Sequence, residues 1–91
     1  MEIEFDPDKR AWTLDQRGLD LAKAGAIFAD FHLSREDDRE EYGEIRVVTL
    51  GRMGKFVVIC VWTERAGGRR IISLRKAEPD EREIYLANCS A

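Results

Sequence analysis

The chain has 91 residues, of which 36% are charged and 44% hydrophobic, with a net charge of −3, so one globular domain with a modest core, spanning residues 1–91, is expected. That composition excludes a disordered chain, and no apolar run approaches the roughly 18–20 residues needed to cross a bilayer. The opening MEIEFDPD is acidic and lacks the apolar stretch of a signal peptide, so a cytoplasmic location and no membrane contact are expected.

In chain order, Glu2–Phe5 alternates polar and apolar residues and predicts a short strand. Asp6 is placed to cap a helix with Pro7 in its first turn. That helix is expected over Pro7–Arg17, with Trp12 turned to the core and Gly18 as a left-handed stop. Asp20 then caps a second helix, Leu21–Phe31, carrying Leu21, Ala24 and Phe28 at helical spacing. The acidic run His32–Gly43 predicts a loop. Three strands follow, Glu44–Leu50, Phe56–Thr63 and Arg70–Lys76, joined by short glycine-bearing turns that predict hairpins. FVVICVW is apolar on both faces and should form the central strand. A last helix is expected over Asp80–Ala87. The order β-α-α-β-β-β-α predicts an α+β fold: helices cover one face of a three-stranded antiparallel meander and leave the other face open.

Charge is divided unevenly along the chain. Residues 1–45 hold 6 Lys/Arg and 13 Asp/Glu, whereas residues 46–91 hold 9 and 5; such asymmetry points to polyanion contact by part of the surface. Arg69–Lys76 concentrates it, with four cations in eight residues. Strand alternation sets Ile71, Ser73 and Arg75 on one face and Ile72 and Leu74 on the other, a pattern that fits either an anion-binding face or a solvated strand. Cys60 and Cys89 lack metal-ligand spacing and are expected as free thiols. His32 is the one histidine; no metal site and no cofactor are expected.

Arg70-Ile71-Ile72-Ser73-Leu74-Arg75-Lys76-Ala77, with Glu81-Arg82 and Tyr85 after it, resembles the C-terminal signature of the BrnT toxin family. Phe5-Asp6-Pro7-Asp8-Lys9, Gly18 and the run to Phe28 are similar to that family's opening, and Arg46 and Thr49–Glu64 fall where it has two middle strands. The resemblance implies a RelE-like ribonuclease toxin, acting with or without the ribosome and neutralised by a small DNA-binding antitoxin (BrnA-like, ribbon-helix-helix). One departure stands out. Where the family carries Asn, then Lys-His-Gly, this chain has Thr13, then Gln16-Arg17-Gly18.

Metal-independent RNA cleavage needs the ribose 2′-hydroxyl to attack the adjacent phosphate while cations stabilise the charge that develops. The candidates for the catalytic set are Arg75 as phosphate clamp, Arg46 and Arg70 as further phosphate contacts, and Ser73 as a phosphate donor or orienter of Arg75. Lys76, Arg17 and Tyr85 are candidates for substrate binding, with docking of the last helix the competing role for Tyr85. Trp62 fits either RNA stacking or the core. The alternative function is a catalytically weakened binding module that pairs with an antitoxin and co-regulates its operon.

Overall fold

The apolar run beginning at Phe56 forms the middle strand of the sheet in a computed structural model, which describes residues 1–39, 41 and 43–89. Among the described residues the strands are β1 (Ile3–Glu4), β2 (Leu33–Glu36), β3 (Arg46–Met53), β4 (Phe56–Arg65) and β5 (Gly68–Lys76). The α-helices are α1 (Pro7–Arg17), α2 (Gly25–Phe28) and α3 (Pro79–Cys89). Strand order is β1-β5-β4-β3-β2. Neighbouring strands pair antiparallel from β2 to β5, and β1 joins β5 in parallel. The α+β class holds, but the sheet is five-stranded and mixed where a three-stranded antiparallel meander was expected.

Helix α1 forms as its caps dictate. The Asp6 carboxylate accepts from the Asp8 N–H at 2.9 Å, Pro7 needs no donor, and Gly18 closes the end at φ +69° with its N–H on the Leu14 carbonyl. Trp12 departs from expectation: it is 51% exposed, and Arg17 lies over its ring at 4.9 Å. The expected helix Leu21–Phe31 is broken into a 3-10 turn, Leu21–Lys23, and the single-turn α2. The break lets Leu21, Ala24 and Ile27 all reach zero exposure against the sheet. Gly51 on β3 makes this approach possible, because a Cβ there would stand 2.5 Å from the Ile27 side chain.

The region read as a loop contains β2. Its sequence LSRE is polar, as suits an edge strand, and Ser34 is tied to Thr49 of β3 by a 2.7 Å hydroxyl pair. Part of the rest of that run, residues 40 and 42, lies outside the described residues.

Register fixes the two faces, since cross-strand partners share one. One face carries Val58, Cys60 and Trp62 of β4 beside Leu74 and Ile71 of β5 and Thr49 and Gly51 of β3. With Leu19, Leu21, Ala24 and Ile27 above it, this is the core. Each fully buried aliphatic side chain there contributes about 1.5–3 kcal/mol. Burial pushes the Cys60 thiol up to about 12, and both cysteines are free.

A bulge on β5 alters the expected alternation. Val61 pairs with Ser73 and Trp62 with Ile71, leaving Ile72 as the extra residue. Ile71 therefore joins Leu74 in the core, at 2% and 0% exposure, instead of sharing the face of Ser73 and Arg75. The opposite face is also not fully open: α3 packs over the part of it formed by β3 and β4, with Tyr85 buried beneath.

Candidate functional site

The bulge has a second effect, on the residues just before it. Arg70 pairs with Thr63, Ser73 with Val61 and Arg75 with Ile59. Residues 59, 61 and 63 alternate on one face of β4, so Arg70 shares that face with Ser73 and Arg75. Strict alternation along β5 would have turned Arg70 to the other side. Arg46 pairs with Thr63 from the β3 side. Arg46, Thr63 and Arg70 thus form one row across the sheet, on its second face. All four residues expected in the catalytic set occur on this face.

At the row's end an ion-pair chain links the cations. Glu44 lies 3.6 Å from Arg46 Nε and 3.6 Å from Arg65 Nη2. Glu4 lies 3.8 Å from Arg65 Nη1 and accepts a hydrogen bond from Arg70 Nη1. Two carboxylates therefore bridge three guanidiniums, which lie between 29% and 50% exposed. Thr63 beneath them is occupied by the fold, its hydroxyl donating to the Ile45 carbonyl at 2.7 Å. Sequence reasoning missed Arg65, Glu4 and Glu44. The signal for Arg65 was its parity with Thr63 on a β4 that runs two residues further than expected; that for Glu4 was its place on a strand whose sheet partner the sequence did not reveal.

Arg75 stands apart from this row. It forms a bidentate pair with Glu81 at 2.8 and 2.9 Å, and Glu81 also accepts from the Glu78 N–H at 2.8 Å. The Glu81 carboxylate is thus both half of a capping box for α3 and the bolt between α3 and β5. Arg75's hydrogen bonds hold the Glu81 carboxyl down at about 2, and the same pair raises the guanidinium's own pKa.

The three substrate-binding candidates do not converge with the row. Lys76 lies on the core side of the sheet, its ammonium 4.1 Å from the centre of the Phe56 ring. Arg17 donates to the Leu74 carbonyl at 2.8 Å and so ties α1 to the edge of β5. Tyr85 is 1% exposed and its hydroxyl donates to the Phe31 carbonyl at 3.0 Å; it docks α3 and has no ring face available for a base. Trp62 serves the core side too: its indole N–H donates to Thr49 at 2.9 Å, and its ring packs edge-on against Phe28 at 5.5 Å. Arg69, the neighbour of Arg70, lies on that side, over Phe28 at 3.7 Å and Trp62 at 4.8 Å. His32 also packs edge-on against Phe28, at 5.3 Å.

Chemically, the row offers planar, permanently charged donors suited to phosphate oxygens, with carboxylates among them that can take up a proton. Among the described residues, no three His, Cys, Asp or Glu side chains gather to hold a metal ion, and no helix is long and apolar enough to cross a membrane. A family model described as the ribonuclease toxin, BrnT, of type II toxin-antitoxin systems matches residues 5–81. No curated protein matches the chain.

Proposed function

The chain belongs to the BrnT family of ribonuclease toxins from type II toxin–antitoxin systems, and on that footing we propose that it is a metal-independent endoribonuclease whose phosphate-gripping surface is the row Arg46–Thr63–Arg70 with Arg65 at its end. The observation that carries this reading is the convergence of three partly exposed arginine side chains, from β3, β4 and β5, on one stretch of sheet.

In this reading an RNA phosphate displaces the carboxylates from the arginines. Exposed ion pairs of this kind are worth only about 0–1 kcal/mol each, so the exchange is cheap. Glu44 or Glu4, released beside the phosphate, takes the proton of the 2′-hydroxyl. The 2′-oxygen–phosphorus bond forms, the bond from phosphorus to the 5′-oxygen breaks, and the leaving 5′-oxygen takes up a proton from water. The arginines stabilise the negative charge on the phosphoryl oxygens as it builds. Ser73, three residues after Arg70 on the same face of β5, donates to the phosphate. Arg75 acts as a positioning residue that fixes α3, and Arg17 and Lys76 hold flanking RNA around the β5 edge. The RelE-like fold, the ribbon-helix-helix antitoxin and any use of the ribosome belong to the same reading, which the family resemblance supports.

A second reading, a binding module with little catalysis, is favoured by one observation: Arg46, Arg65, Arg70 and Arg75 all have carboxylate partners within the chain. Expression in a bacterium separates the two. The nuclease reading expects growth arrest by the wild-type chain and relief of arrest by Arg70→Ala at equal soluble level. Normal growth with confirmed soluble wild-type protein supports the binding module instead.

A further inference from the structure

We propose that the rim of the core face around Phe56 is a second RNA subsite, which stacks one unpaired base and grips the phosphate beside it. The proposal rests on the preceding reading only in taking single-stranded RNA as the ligand; it needs no cleavage. Its seat is a groove of about 460 Å3 between the end of α1, the 3-10 turn and the β3–β4 hairpin. The arginine row lies at the other end of the sheet, on its other face. Leu14, Leu19, Met53 and Phe56 give the groove its apolar walls. That size and lining suit a small planar group.

Cations distinguish this groove from an ordinary apolar seam. Lys76 Nζ stands 4.1 Å and Lys55 Nζ 5.4 Å from the centre of the Phe56 ring, and Lys23 lines the groove. These are three of the chain's four lysines. Among the described residues none of the three forms an ion pair, whereas Arg46, Arg65, Arg70 and Arg75 all do. Their ammoniums are therefore available to phosphate oxygens. The carboxylate in the groove wall, Asp20, is engaged by Arg10 at 2.8 and 3.1 Å. Asp15, on α1, accepts from Gln16 Nε2 at 2.8 Å. Glu78, Asp80 and Glu81 follow Lys76 in sequence but belong to the start of α3, where Glu81 is held by Arg75.

The edge of β5 connects the two sites. Strand β1 pairs with it only at Arg69 and Arg70. Further along, Arg17 reaches β5 by donating to the Leu74 carbonyl, and its guanidinium lies over the half-exposed Trp12 ring. The six residues from Arg70 to Lys76 span about 20 Å. A single strand leaving the arginine row around this edge meets Arg17 with Trp12, then Lys76 and Lys55 with Phe56. Cations interleaved with aromatic rings are how proteins hold single-stranded nucleic acid, stacking bases and tracking the backbone.

The test is fluorescence anisotropy of the full chain with a labelled 2′-O-methyl RNA of about 12 nucleotides, which lacks the attacking hydroxyl and so reports binding alone. Phe56→Leu keeps an apolar side chain in the groove and removes the ring; it is expected to weaken binding about 10-fold, and Phe56→Tyr, which keeps the ring, to stay within about twofold of wild type. Lys55→Glu, at an exposed turn position, is expected to weaken binding about 10-fold and to flatten its salt dependence. Absence of RNA binding by the wild-type chain would overturn the proposal, as would wild-type affinity in Lys55→Glu or in a folded Phe56→Leu variant. Free adenosine monophosphate binding as tightly as the oligonucleotide would also overturn it, by giving the groove to free nucleotides. A wild-type chain that binds through Phe56 and Lys55 yet cleaves no RNA sinks the nuclease reading and leaves this one standing.

Discussion

Arg70 and Arg75 are five residues apart on one strand, and the structure gives them different work. Arg75 spends both ends of its guanidinium fork on Glu81, which also caps α3, whereas Arg70 lies in a chain of looser pairs with Glu4 and Arg65. The sequence made both visible as cations on either side of a hydroxyl, Ser73. It did not show that the Arg75 partner is Glu81, because the turn of chain between them closes only when α3 packs on the sheet. The pair has a measurable pH signature. The folded pKa of Glu81 is depressed from 4.5 to about 2 by the Arg75 hydrogen bonds, so its stabilisation is fully present above about pH 4.5 and disappears as pH falls towards 2. Glu81→Gln is expected to cost about 1 kcal/mol at pH 7, a modest value because solvent reaches the pair. Its stability gap from wild type, measured by chemical denaturation, should narrow below pH 4.5 and close near pH 2; a gap that persists unchanged at pH 2 would assign the loss to something other than charge.

Element by element, the sequence was most legible where one local rule decided the outcome. Asp6, Pro7 and Gly18 bound α1 to the residue, and the apolar β4 sits mid-sheet as its composition requires. It was least legible where tertiary contact prevailed. Helical spacing in Leu21–Phe31 is real, but Gly51 admits Ile27 so closely that the segment bends into two short turns. Strand β2 is polar because it is an edge, and a polar run alone reads as a loop. Ile72 looks like any strand residue, yet as the bulge it decides which side Arg70 takes. Gly51→Ala should therefore lower stability by about 1–3 kcal/mol through overpacking against Ile27, read as a fall of several degrees in melting temperature. The β4–β5 turn offers the opposite change. Ala66 and Gly67 both have positive φ, +52° and +80°, the requirement of a type I′ hairpin that Asn-Gly meets best. Ala66→Asn should raise stability by about 0.5–1 kcal/mol, or about 2–8 °C. A neutral or lower melting temperature would mean that the turn carries no such strain.

On the scale of the whole molecule, the two faces of the sheet divide the tasks. One is sealed by α1, α2 and the 3-10 turn over the core. The other is half covered by α3, which leaves an aliphatic groove and, beyond it, the arginine row. Of this plan the sequence showed the charge asymmetry and the candidate arginines; the placement of α3 on the second face was hidden, because its exposed Ile84 and Leu86 give no clean apolar stripe. Part of the acidic N-terminal half serves the basic C-terminal half directly: Glu4 and Glu44 form ion pairs with the arginines of the row. The most direct measurement is cleavage of single-stranded RNA by the purified chain without added metal, compared with the double variant Arg46→Ala/Arg70→Ala verified as folded by circular dichroism. Removing one preorganised charge contact of this kind typically costs about 100–1,000-fold in rate, so wild-type cleavage should fall at least 100-fold in the variant; cleavage by the variant at the wild-type rate would contradict the assignment of this row to RNA.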